Sequence, residues 1–209
     1  MLNHMGPSGW WPAEDKRDII VGAILVQNTA WQNADVGLNH LKQRTRLAPE
    51  AVLSLSQTEL IDLIRASGFY RNKAKAIHNV FQWFDDHDWD YAGIAAKATQ
   101  AELRQQLLAL PGVGQETADV YLVYLFDLPT FIADSYTRRL FTHLGYQHTD
   151  SYQHLKQQIT LPSNFTAEMA QDFHGQLDEF GKHYLQREDT FADSFLARAL
   201  LKKQQAQKG

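Results

Sequence analysis

The sequence predicts an all-α fold. Three observations carry this prediction: apolar residues recur at helical spacing along nearly the whole chain, period-two strand patterns are missing, and two capping boxes, Ser56 with Glu59 and Thr99 with Glu102, open helices in mid-chain. No repeat and no low-complexity linker interrupts the pattern.

The elements follow in order. "KRDIIVGAILVQN" at 16–28 is apolar nearly all round, as a central buried helix is. The Ser56 helix stops at Ser67-Gly68, and in the next one Ala74, Ile77, Phe81 and Phe84 share a face. The Thr99 helix is expected to run to Leu110, where Pro111 cannot donate a helical hydrogen bond and ends it. A further helix starts around Gly114 and carries Ala118, Tyr121, Leu122 and Leu125. "SYTRRLFTHLG" and "SYQHLKQQI" read as helices, as does a long segment with Met169, Phe173, Leu177, Phe180 and Tyr184 at helical spacing. "DSFLARALLKKQQ" closes the chain as another.

Composition narrows the chemistry. The 209 residues fit one large domain or two small ones sharing a cleft, enough to bury a core without staples. There is no cysteine, which excludes disulfides, thiolate nucleophiles, cysteine-ligated zinc and cysteine-held iron–sulfur clusters. The longest apolar run, 19–26, has eight residues against the ~20 a bilayer requires, and the N-terminal segment lacks a signal-peptide pattern. The expectation is therefore a cytoplasmic chain that is not membrane-bound. Net charge is −4, which does not advertise a nucleic-acid binder, although a local patch can still grip phosphates. Arg71, Lys73 and Lys75 form one basic cluster, Arg138 and Arg139 a second, Lys202 and Lys203 a third; each also reads as a solvated helix face. The nine histidines show no metal-ligand spacing, and Asp85-Asp86-His87-Asp88 reads as a solvated helix end.

"LPGVGQETAD" at 110–119 is the most informative stretch. It is not a dinucleotide fingerprint, because a helix precedes it and Thr117 stands where a third glycine belongs. What remains is helix, tight hairpin, helix. Without Cβ atoms, Gly112 and Gly114 let backbone amides approach a phosphate at a helix N-terminus, a grip that does not read bases. An ordinary αα-hairpin has the same outline.

Eighteen residues beyond Glu116 comes "TFIADSYTRRL", with Asp134 at a helix start. Together the two motifs resemble the helix–hairpin–helix DNA glycosylases of the endonuclease III superfamily, whose "LPGVG" hairpin is followed by a catalytic aspartate in a context like Ala133-Asp134-Ser135-Tyr136-Thr137-Arg138-Arg139. "ILVQNTAWQNA" at 24–34 is similar to the family's early helix, whose glutamine-containing end lies at the DNA, and "SGFYRNKAKAI" at 67–77 to the loop that enters the duplex. The resemblance implies a two-lobed helical fold, with 15–128 as the hairpin lobe, 1–14 together with 129–209 as the second, and the active cleft between them.

The departures are as informative as the matches. Bifunctional members carry, at the position of Glu116, a lysine whose amine attacks the sugar; a carboxylate cannot form an imine. Glu116 therefore points to a monofunctional glycosylase without lyase activity. It would shape the pocket, accept a hydrogen bond from a flipped base or pair with a lysine such as Lys182; a solvated glutamate at a helix N-terminus is the plainer alternative. Many relatives hold an iron–sulfur cluster with four C-terminal cysteines, whose positions here align with Leu185, Ala192, Phe195 and Leu201, so ordinary packing is expected there instead. Finally, Trp10, Trp11 and Trp31 resemble the cluster-free 3-methyladenine glycosylase branch, in which such aromatics line the base pocket. Indole faces attract the positive charge of a purine alkylated at N3 or N7. Each tryptophan could equally anchor the core.

The resemblance implies a mechanism in base excision repair. A flipped alkylated purine stacks among the tryptophans, and Asp134 stabilises the oxocarbenium-like sugar. Gly112 and Gly114 hold the phosphate backbone, with a monovalent cation at the hairpin carbonyls; Arg138 and Arg139 add DNA contacts. Gln27 and Phe69 fill the gap left by the flipped nucleotide, though Phe69 also suits a core. The implied partner is double-stranded DNA with damaged bases, bound by a monomer without a resident metal. A glycosylase for mismatched or oxidised bases, and a helix–hairpin–helix DNA-binding protein without catalysis, are the alternatives.

Overall fold

Caps and apolar stripes set the helix boundaries in the structure, a computed structural model that describes residues 1–8, 13, 15–187 and 190–206. Helices are the only regular elements among the described residues. The chain divides into two compact units: Met1–Trp11 with Pro129–Gly209, here the terminal unit, and Pro12–Leu128, the hairpin unit. The short α1 (Leu2–Met5) belongs to the terminal unit.

In the hairpin unit, α2 (Lys16–Leu25) starts at a capping box of Asp15 and Asp18, and every residue from Asp18 to Leu25 is buried. An all-round apolar helix needs partners on all sides. α3 (Trp31–Thr45), α6 (Tyr70–Asp85) and α9 (Gln115–Tyr124) supply them. Between these run α4 (Pro49–Leu53), α5 (Gln57–Ile64), α7 (Tyr91–Ala96) and α8 (Gln100–Leu108). The Ser56–Glu59 and Thr99–Glu102 boxes both form in full, each side chain bonding back to the other's backbone amide. Ala74, Ile77, Phe81 and Phe84 are buried on one face of α6. α8 ends at Leu108, earlier than expected. The amides of Ala109 and Leu110 already close tighter turns onto Gln106 and Leu107, and Pro111 lies in the hairpin beyond the helix.

One basic cluster is corrected by the structure. Arg71 and Lys75 are exposed, but Lys73 between them is 3% exposed and does not join a solvated face. Its Nζ donates to the Leu25 carbonyl at 2.8 Å and the Ser67 carbonyl at 2.6 Å. Carbonyls at helix ends lack in-helix donors, and the ammonium supplies one to two of them at once. Burial pushes its pKa down to about 8.

In the terminal unit, α10 (Ser135–His143), α11 (Tyr152–Gln158), α12 (Ala167–Tyr184) and α13 (Phe195–Ala206) surround a core that includes Phe131, Leu140, Phe141, Leu177 and Phe180. α10 lies close on α12. A Cβ at Gly181 would stand 2.2 Å from Cγ of Tyr136, so only glycine admits that ring. Of the positions aligned with cysteine ligands, Leu185 enters the core and Phe195 packs against it. Ala192 is exposed and Leu201 is 57% exposed, so packing replaces a cluster at two positions of the four. Met169, expected on the buried face of α12, is 44% exposed because it lies in that helix's first turn.

Candidate active site

The hairpin unit carries the phosphate-facing candidates. Gly112 has φ +92°, a left-handed conformation that disfavours any Cβ, and a Cβ there would stand 2.3 Å from that of Ala76 on α6. Its glycine is thus needed by the fold itself, whatever the hairpin binds. Gly114 differs: it caps α9 with φ −89° and ψ −180°, and a Cβ would meet no atom within 4 Å. The first amides of α9 lack in-helix acceptors, and its N-terminal dipole favours an anion. Glu116, in that first turn, is exposed and has an interaction partner.

Gln27 joins the hairpin directly. Its Nε2 donates to the Gly112 carbonyl at 3.1 Å and the Thr117 hydroxyl at 3.0 Å, locking the turn after α2 to the hairpin. Across the hairpin, the Arg104 guanidinium grips the fully buried Asp119 with both carboxylate oxygens engaged, at 2.7 and 3.3 Å, and so fixes α8 against α9. Phe69 is 68% exposed, which excludes the core reading. Gly68 and Phe69 both have positive φ, +65° and +46°, turning that ring outward just before α6. Trp31 opens α3 at 37% exposure and has an interaction partner. Trp10 and Trp11 lie outside the described residues.

In the terminal unit Asp134 is the N-cap of α10. Its Oδ1 accepts the Thr137 amide at 2.7 Å, and its Oδ2 lies 3.3 Å from Nε2 of His174 on α12. Burial alone would raise the Asp134 pKa, but the hydrogen bonds from His174 and Thr137, with the charge of His174, outweigh it and hold the carboxyl below the usual range. The group is both buried and ionised, a pairing that functional carboxylates share. His174 was missed in the sequence because its partner is far along the chain and it matches no metal spacing. The legible signal was His174, Asp178 and Lys182 at four-residue intervals on one helix face.

Lys182 is clamped by carboxylates, its Nζ lying 2.6 Å from Asp178 and 3.0 Å from Glu179. Burial acts to lower its pKa, but those two partners prevail and raise it, which keeps the amine protonated and not nucleophilic. Arg138 donates to the Ala133 carbonyl at 2.9 Å and Arg139 to the Leu185 carbonyl at 3.1 Å, so each guanidinium is partly committed to its own unit. No group of three or more potential metal ligands occurs among the described residues.

A helix–hairpin–helix followed by a buried, ionised aspartate at a helix N-cap defines a class of base excision repair proteins. The profile of the HhH-GPD superfamily of base excision DNA repair proteins matches residues 21–163, and the chain belongs to that superfamily. Among sequences, it is 39% identical over 146 residues to a Methanocaldococcus jannaschii protein provisionally named a DNA repair glycosylase, covering 69% of this chain and 66% of the relative. It is 26% identical over 166 residues to endonuclease III of Thermotoga maritima, covering 78% and 72%. It spans just over half, 55%, of endonuclease III of Sulfolobus acidocaldarius, at 30% identity and 61% of this chain. Among solved structures, it superposes on the H. pylori 3-methyladenine DNA glycosylase (MagIII) bound to 1,N6-ethenoadenine with TM-score 0.68 and 26% identity, covering 87% of this chain and 91% of that one. A non-covalent endonuclease III–DNA complex shares the fold at TM-score 0.67 and 23% identity, covering 84% and 78%.

Proposed function

We propose that the chain is a monofunctional DNA glycosylase that hydrolyses the N-glycosidic bond of alkylated purines such as 3-methyladenine. The observation that carries this reading is an ionised Asp134 in a chain whose position 116 is a glutamate and whose Lys182 ammonium is bound by Asp178 and Glu179. The H. pylori neighbour, a 3-methyladenine glycosylase by its name, supports the alkylpurine class.

The chemistry follows from charge. An alkylated purine carries a positive charge, so the glycosidic electron pair leaves with the base and neutralises it, with little need for a general acid. The sugar left behind is oxocarbenium-like. Asp134 supplies a fixed negative charge for it and orients the water whose oxygen bonds to C1′, the water proton passing to the carboxylate or solvent. Gly114 and the α9 amides hold a phosphate, and exposed Phe69 and Trp31 offer ring faces to unstacked bases. Base release from methylated duplex DNA, resolved by chromatography, tests the reading: wild type should release free methylpurine, and Asp134→Asn should release about 100-fold less or none while still binding DNA. Residual activity of the variant within tenfold of wild type would remove Asp134 from the chemistry.

A further inference from the structure

We propose that His174 is a positioning residue that fixes the Asp134 carboxylate on its second oxygen. The inference rests on the reading of Asp134 above. An aspartate acting as a helix cap needs only one oxygen for that task, and Oδ1 fulfils it by accepting the Thr137 amide. The second oxygen of such a cap can swing towards solvent. Here Oδ2 instead meets Nε2 of His174, a residue 6% exposed. The proton must sit on Nε2 for this contact to be a hydrogen bond. Asp178, one helical turn further along α12, has a side chain 15% exposed, and Lys182 follows at the next turn. The face of α12 turned to Asp134 therefore reads imidazole, carboxylate, ammonium. Asp178 is held above the usual carboxylate range, first by burial and then by the charge of Asp134, with Lys182 and His174 opposing, so the groups of this stack feel one another.

A catalytic carboxylate must stay ionised in a buried site and keep one orientation as charge develops on the sugar. The Thr137 amide and the His174 ring do both, the second of them across the contact of α10 with α12. A helix-to-helix tie of the same residues would need nothing from the ring beyond packing.

The test uses the full chain in single-turnover base release at saturating enzyme, with binding and thermal melting measured alongside. His174→Leu removes the donor. Leaving one oxygen of a buried carboxylate unpaired should slow release about ten- to hundredfold with lesion-DNA affinity unchanged. His174→Gln restores an N–H at a similar reach and should stay within about threefold of wild type. His174→Met, unbranched and adaptable but also without a donor, runs beside Leu as a second donor-free variant. A donor-free variant that melts above the assay temperature yet keeps its rate within threefold overturns the proposal. So does a folded His174→Gln as slow as His174→Leu, or a loss confined to affinity. Asp134→Asn separates the two levels: if it retains activity, the reading of Asp134 itself fails, whereas an inactive Asp134→Asn beside a fully active His174→Leu removes the positioning role alone.

Discussion

Of Gly112 and Gly114, only the first should lose stability to the same change. Gly112→Ala puts a Cβ at φ +92° and 2.3 Å from the Ala76 Cβ. A left-handed conformation costs an L-residue about 1–2 kcal/mol, and forcing an extra methyl into a packed contact about 1–3 kcal/mol more. The sum is about 2–5 kcal/mol. For a chain of this size each kcal/mol lowers the melting temperature by about 2–4 °C, so Gly112→Ala should melt roughly 4–20 °C below wild type. Gly114→Ala meets no atom within 4 Å and has an extended backbone; alanine caps a helix less well than glycine but restricts the unfolded chain more, so the melting point should hold within about 2 °C. Gly114→Asp adds a charge where a phosphate is proposed to sit, and should weaken binding to damaged and undamaged duplex alike without a comparable thermal loss. Calorimetric melts paired with gel-shift titrations read both quantities. The Ala76→Gly background should relieve the overlap but not the backbone strain, giving a partial rescue. A Gly112→Ala protein melting within about 2 °C of wild type would refute the packing argument.

Three further outcomes follow from the same geometry. Lys73 has a folded pKa of about 8 against 10.5 unfolded, so the unfolded chain holds more protons between those values and stability should rise with pH across that window. Denaturant titrations at pH 8 and 9.5 should show a gain of up to about 1.5 kcal/mol that vanishes in Lys73→Met; above pH 10 the raised Tyr91 and Tyr121 act in the opposite sense. Asp119→Ala removes the fully buried carboxylate that Arg104 grips and should cost about 3 kcal/mol in urea unfolding; a loss under 1 kcal/mol would make the pair incidental. Phe69→Ala removes an exposed ring and should leave stability within about 0.5 kcal/mol while lowering affinity for lesion-containing duplex, and equal affinity would take Phe69 off the DNA.

What the sequence disclosed and what it hid divide along a physical line. Helix starts were legible because capping is local: the Ser56–Glu59 and Thr99–Glu102 boxes involve residues three apart and form as written. The α6 stripe and the all-round apolar α2 were legible because burial leaves a periodic trace. The end of α8 was misplaced by two residues, since tighter turns close before Pro111 is reached and proline marks only the last point at which a helix must stop. Lys73 was misread because a lysine beside two exposed basic residues carries no local sign of meeting two carbonyls, one of them 48 positions away. Gly112 was legible as a turn glycine, but its clash with Ala76 depends on how the hairpin meets α6. His174 escaped for the same reason. Its partner is fixed by the α10–α12 packing, and composition says nothing of that.

Glu116 and the bound Lys182 ammonium predict base loss by hydrolysis without an imine. A duplex carrying one alkylated purine, labelled on the damaged strand, should be treated with wild type, Glu116→Ala and Lys182→Ala, and the products resolved with and without alkali, with borohydride added in parallel. An imine needs an unprotonated amine at C1′, and the Lys182 ammonium is held charged by Asp178 and Glu179. Wild type should therefore release free base and leave an abasic strand that breaks only in alkali, with no protein–DNA adduct trapped. Strand breaks before alkali, with a borohydride-trapped adduct that disappears in Lys182→Ala, would contradict the account and make the protein a lyase with its nucleophile on α12.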